Sequence, residues 1–153
     1  MILDAYALVA QLRDEAAAEI VSGLLGDENL HCRTLATAAA EAMDRVSRLG
    51  GHPPEEVALS LLELGLELTP VDEDLGVRAG VLRAEAYHPI RSPLSLSDCL
   101  LAAETLRCRD VLATADPALL DLVASRGGSW VALPASDGSV HTPEVLHFGA
   151  PLA

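Results

Sequence analysis

Lysine is missing from the sequence altogether: all ten cations are arginine, against 23 aspartates and glutamates. At a formal charge of −13, the chain lacks the clustered cations that a protein coating nucleic acid by electrostatics alone must carry. Aromatic residues are scarce, at 3%, while half of the chain is apolar. The core must therefore be built from leucine, valine and alanine, which suits helices packed on an aliphatic sheet. Three cysteines, Cys32, Cys99 and Cys108, are an odd number without metal-ligand spacing, and no charged and apolar leader precedes the first apolar run. A reduced, cytoplasmic protein is expected. Arginine, aspartate or glutamate interrupts every apolar run well short of the roughly 20 residues of a membrane span, so no membrane association is expected. The phosphate-cradling patterns GxGxxG and GxxxxGK do not occur.

At 153 residues one domain is expected, a body of residues 1–134 with a tail of 135–153 belonging to the same unit. The most informative stretch is Ser95 to Leu120. Leu100, Leu101, Ala103 and Leu106 recur at helical spacing, and Val111 to Thr114 is a short apolar run before a turn. A helix followed by a buried strand is half of a parallel crossover, and parallel strands present functional groups at their carboxyl ends. Asp98 opens that helix and Asp116 follows that strand. Either acid alone reads equally well as a helix cap: Asp116 precedes Pro117, and Asp98 lies in a first turn favoured by the helix dipole.

Acids recur at comparable places. Met1, Ile2 and Leu3 run into Asp4, as a strand ending in an acid does. Asp14 to Leu25 reads as one amphipathic helix, Leu30 to Arg33 as a short strand, and Leu35 to Leu49 as a helix stopped by Gly50 and Gly51. On that helix Glu41 falls at the edge of the apolar stripe, spaced either for a surface ion pair with Arg45 or for a site. A helix from Pro53 to Leu64, an edge strand from Leu66 to Val71, and a helix from Asp72 to Tyr87 follow. Asp72, Glu73 and Asp74 read as a solvated helix start, and Gly76 and Gly80, one turn apart, permit close approach of another helix. A helix from Pro117 to Ser125 and a strand from Trp130 to Leu133 complete the body. The tail, with His141 and His147, reads as surface loop. The alternation implies an α/β fold, three layers with a central parallel sheet of about five strands.

Taken together, LDAYALVA around Asp4, ATAAAEAMDRVSRLGG around Glu41, LSLSDCLLAAETL around Asp98 and VLATADPAL around Asp116 resemble the PIN-domain family. The likeness is to the VapC-type ribonuclease toxins of type II toxin-antitoxin pairs, and it covers about residues 1–134. It implies that Asp4, Glu41, Asp98 and Asp116 bind Mg²⁺ or Mn²⁺ and carry catalysis, with Thr114 supporting the site. It also implies RNA as substrate, a small antitoxin that inserts a cationic segment, and a homodimer. The chain departs from the family pattern at Ala38, where many relatives carry a small polar residue; Thr37 is the nearest hydroxyl.

The residue types suit that chemistry independently. Hydrolysis of a phosphodiester requires an activated water and stabilisation of the transferring phosphoryl group, both of which divalent ions supply. Hard ions prefer oxygen ligands, so convergent carboxylates suit them better than histidine or cysteine. Convergence also raises at least one acid's pKa through mutual repulsion. With few cations, substrate contact rests on single arginines, and Arg45 and Arg48 lie on the Glu41 side of their helix. Response-regulator receivers and phosphatases of the haloacid dehalogenase type are argued against, because each uses a lysine beside its aspartates. A non-catalytic interaction module of the same fold is the alternative.

Overall fold

The computed structural model describes residues 1–144. Along the chain run β1 (Ile2–Leu3), α1 (Ala5–Arg13), α2 (Ala18–Gly26), β2 (Arg33–Leu35), α3 (Ala36–Gly50), α4 (Pro54–Glu63), β3 (Glu67–Thr69), α5 (Glu73–Ala86), α6 (Leu96–Cys108), β4 (Val111–Thr114), α7 (Pro117–Ser125) and β5 (Ser129–Ala132). All five strands are parallel, in the order β3-β2-β1-β4-β5. The α/β class and strand number are as expected.

This order determines where a site can form. From β1 the chain steps outward to β2 and β3, then returns across the sheet to β4 and steps outward the other way to β5. Right-handed crossovers therefore put α1–α4 on one face and α5–α7 on the other. In agreement, α1 packs against α2 and α3, and α6 against α5 and α7. The reversal between β1 and β4 opens a crevice at their carboxyl ends, with Ile2 opposite Leu112 and Leu3 opposite Ala113. Asp4 and Thr114 come next in that register. The core is aliphatic, as the composition requires: Ile2, Leu3, Leu8, Leu35, Leu75, Leu101, Leu112 and Leu119 are all fully buried.

Several boundaries differ from those expected. Asp14 does not open a helix; it closes α1 in the left-handed conformation at φ 54°, and α2 starts only at Ala18. Its short polar side chain is one of the few that tolerates that geometry. The second strand is Arg33–Leu35 instead of Leu30 to Arg33, because Arg33, Thr34 and Leu35 pair with Glu67, Leu68 and Thr69. Gly76 and Gly80 face open space on the exposed side of α5, so they serve no packing within the described residues. In the tail, His141 pairs with Asp121 at 2.8 Å, while His147 lies outside the described residues. Among the described residues no helix is long and apolar enough to cross a membrane.

Candidate functional site

Asp4 is the N-cap of α1. Its Oδ1 accepts a hydrogen bond from the Ala7 amide at 2.7 Å, and its Oδ2 accepts one from the Thr114 hydroxyl. It is only 4% exposed. Burial raises its pKa from 3.8 to about 7; the bonds from Thr114 and Ala7 oppose the rise, and the charges of Asp98 and Asp116 add to it. Repulsion was expected to raise one of these acids. It contributes, but desolvation leads.

Thr114, the last residue of β4, joins two of the acids. Its hydroxyl donates to Asp4, and its oxygen accepts the Asp116 amide at 3.0 Å. Asp116 caps α7 through the Leu119 amide at 2.9 Å, ahead of Pro117 at the first helical position. Asp98 is the third residue of α6 and closes a capping box, accepting from the Ser95 amide at 2.7 Å while Ser95 Oγ accepts its own amide at 3.0 Å. Both capping readings therefore hold. They are compatible with a site, because the amino ends of α1, α6 and α7 meet at one crevice.

Glu41 approaches from the other face, from the second turn of α3, half-buried, with Arg45 Nη1 at 3.9 Å from its Oε1. Asp4, Glu41, Asp98 and Asp116 line a single cavity of about 350 Å³ together with Arg45 and Tyr6. Arg48 does not reach it. Seven residues beyond Glu41 it shares that face but lies about 10 Å further along the helix axis, and there Asp44 holds it through bonds of 2.7–3.2 Å. Ala38 is fully buried and the exposed Thr37 is not on the cavity wall, so neither supplies a polar group there.

The donor set fits a hard divalent ion: four carboxylates line the cavity, and neither histidine nor cysteine does. Among the described residues, no three ligating side chains stand close enough as placed to grip one ion together.

Two features escaped the sequence reading. Tyr6 lies on the cavity wall with its hydroxyl donating to the Pro134 carbonyl at 2.8 Å. Glu104 is a fully buried acid at the other edge of the sheet, bonded to Arg33 Nη1 at 2.6 Å and to Arg107 Nη2 at 2.6 Å. A signal for Glu104 was present, since it stands three and four positions after Leu101 and Leu100, on the buried stripe of α6.

No family model matches the chain, and no curated protein is similar to it in sequence. Solved structures are similar in fold. The crystal structure of FitAcB from Neisseria gonorrhoeae has a chain that is 20% identical with a TM-score of 0.61, over 84% of this chain and 94% of that one. A toxin-antitoxin complex from Klebsiella pneumoniae has a chain that is 18% identical with a TM-score of 0.54, over 75% of this chain and 85% of that one. At such identities the likeness is one of fold.

Proposed function

We propose that this chain is a metal-dependent endoribonuclease, the VapC-type toxin of a toxin-antitoxin pair. The observation that carries the reading is the convergence of Asp4, Glu41, Asp98 and Asp116 on one cavity in which Arg45 is the lone cation among the described residues. Clustered acids without a counter-charge cost stability and serve no packing purpose, whereas a divalent ion would offset them. These four side chains would hold Mg²⁺ or Mn²⁺, which when bound would lower the pKa of a water and neutralise charge on the transferring phosphoryl group. Thr114 fixes the orientation of Asp4 and ties it to the Asp116 backbone, while the amino ends of α1, α6 and α7 add favourable dipoles for an anionic phosphate. Arg45 is placed to contact the RNA backbone.

The toxin role draws support from the fold shared with a chain of a toxin-antitoxin complex. The partner would be a small antitoxin inserting an arginine-bearing segment, whose planar fork can address two carboxylates at once. A homodimer is part of the same proposal.

The test is cleavage of total bacterial RNA by the purified chain. Defined fragments with Mn²⁺ or Mg²⁺, none with chelator, and at least a hundredfold loss in Asp98→Asn are expected. Cleavage unaffected by chelator or by that substitution would refute the assignment.

A further inference from the structure

Besides acids and Arg45, the cavity wall carries one aromatic residue, Tyr6, two positions after Asp4 on the first turn of α1. The chain holds few aromatics. Of the others described, Tyr87 lies under the Arg83 guanidinium, 4.3 Å from its ring centroid, and Trp130 packs on the core from β5. Tyr6 alone among them borders the acids.

Its setting is pre-organised. The side chain is half-buried, and its hydroxyl is spent on the Pro134 carbonyl, the residue that leads the chain past the cavity rim at Ala135. A ring held at both ends loses little freedom when a flat ligand is laid against it. The rest of the wall is mostly apolar, formed by Ala5, Leu101, Ala115, Pro117 and Ala135, with Ser95 as its one further polar residue. A cavity of about 350 Å³ sits at the low end of the range for small-ligand sites, a size suited to about one nucleotide. The same wall therefore carries both the carboxylates that would gather a metal at the phosphate and the amphipathic ring.

Resting on the reading of the cavity as an RNA-cleaving site, we propose that Tyr6 is a base-stacking residue: the base of a nucleotide adjoining the scissile phosphate lies on its ring, with Arg45 facing the backbone. Every base offers a π-face, so such a platform fixes the position of the chain without reading hydrogen bonds. It compensates for the sparse cations, which cannot hold RNA by charge alone.

The experiment uses the full chain and an oligoribonucleotide spanning a cut mapped in bacterial RNA. Tyr6→Leu should raise KM about tenfold, within the roughly five- to 150-fold span of base-aromatic stacking, and leave kcat within about twofold. Tyr6→Phe keeps the ring, loses only the pre-organising bond to Pro134, and should raise KM no more than about twofold. Placing one abasic nucleotide at successive positions should weaken wild-type binding, followed by anisotropy in chelator, at one position where Tyr6→Leu is indifferent. If the ring merely anchors the tail, Tyr6→Phe will fail along with Tyr6→Leu and no abasic position will couple, which overturns the proposal. Wild-type cleavage with unaltered KM in Tyr6→Leu overturns it while sparing the nuclease reading. A wild-type chain that cuts no RNA overturns both.

Discussion

Two clusters of acids sit at opposite edges of the same sheet, and they are built on opposite terms. At the amino edge, Glu104 is as buried as any leucine of the core, yet each of its oxygens meets a guanidinium: Arg33 at 2.6 Å and Arg107 at 2.6 Å. Asp110 joins through Arg33 at 3.2 Å and the amino terminus at 2.9 Å, and Arg107 continues to Asp72 at 2.8 Å. Burial pushes the Glu104 pKa up, but the bonds from Arg33, Cys108 and Arg107 outweigh it and hold the acid below its ordinary value. At the carboxyl edge, burial acts on Asp4 with only neutral donors against it, and the value rises to about 7. Arginine is present in both places. Only at the amino edge does it neutralise. The acids of the amino edge are neutralised by arginine within the fold, and those of the carboxyl edge, where Arg45 meets only Glu41 at 3.9 Å, are not, which is what the proposed metal site requires.

The contrast predicts opposite consequences of removing charge. Glu104→Gln leaves Arg33 and Arg107 with only Asp110 and Asp72 as charged partners, and should lower unfolding free energy in urea by about 2–3 kcal/mol. Asp98→Asn removes a charge from the uncompensated cluster and keeps the helix start, so metal-free stability should hold steady or rise. A loss in Asp98→Asn comparable to that in Glu104→Gln would erase the distinction between the two edges.

Next in size is the response to pH. Asp4 has a folded pKa near 7, above its unfolded value, so the folded chain takes up a proton that the unfolded chain does not between about pH 7 and pH 4. Without divalent ions, lowering the pH from 7.5 to 5 should therefore stabilise the fold, by about 2.5 kcal/mol at most. Glu104 and Asp110 behave conversely. Their lowered values contribute stability above the unfolded pKa that is lost as pH falls through the folded one, so the gain reverses in more acid solution. Unfolding free energy measured in chelator should pass through a maximum on the acid side of neutrality. A steady fall from pH 7.5 downward would contradict the assignment for Asp4.

The smallest contrast separates two neighbouring arginines. Arg45→Ala should raise KM for RNA severalfold, whereas Arg48→Ala, whose side chain is held by Asp44 away from the cavity, should change neither KM nor Tm measurably. Equal effects would mean that the RNA track extends along α3 beyond the cavity.

Much of the carboxyl edge could be read in advance because it follows from local chemistry. An acid after an apolar run and ahead of a helix marks both the cap and the crevice, and the alternation of elements implies the parallel sheet. That Asp4, Glu41, Asp98 and Asp116 come to one cavity was legible on those grounds together with the family resemblance. Arg48 lies outside the cavity although it shares the face of Glu41, because helical phase reveals a face and says nothing of distance along the axis. At the amino edge only the buried phase of Glu104 on α6 could be read: its pairing with Arg33 and that of Arg107 with Asp72 join positions 71 and 35 residues apart, which no local pattern encodes. Tyr6 stayed hidden in the apolar start of α1, because its bond to Pro134 joins positions at the two ends of the body.

The claim beneath all of this is that the acids of the crevice are unpaired in order to hold a divalent ion. Titration of Mn²⁺ into the purified chain, with bound and free ion distinguished by electron paramagnetic resonance, tests it without substrate. Binding is expected in the wild type, weakened at least tenfold in Asp98→Asn and in Asp116→Asn and unchanged in Asp44→Asn, an exposed acid outside the cavity. Mn²⁺ that stays free in the wild type, or binds all four proteins alike, would contradict the account.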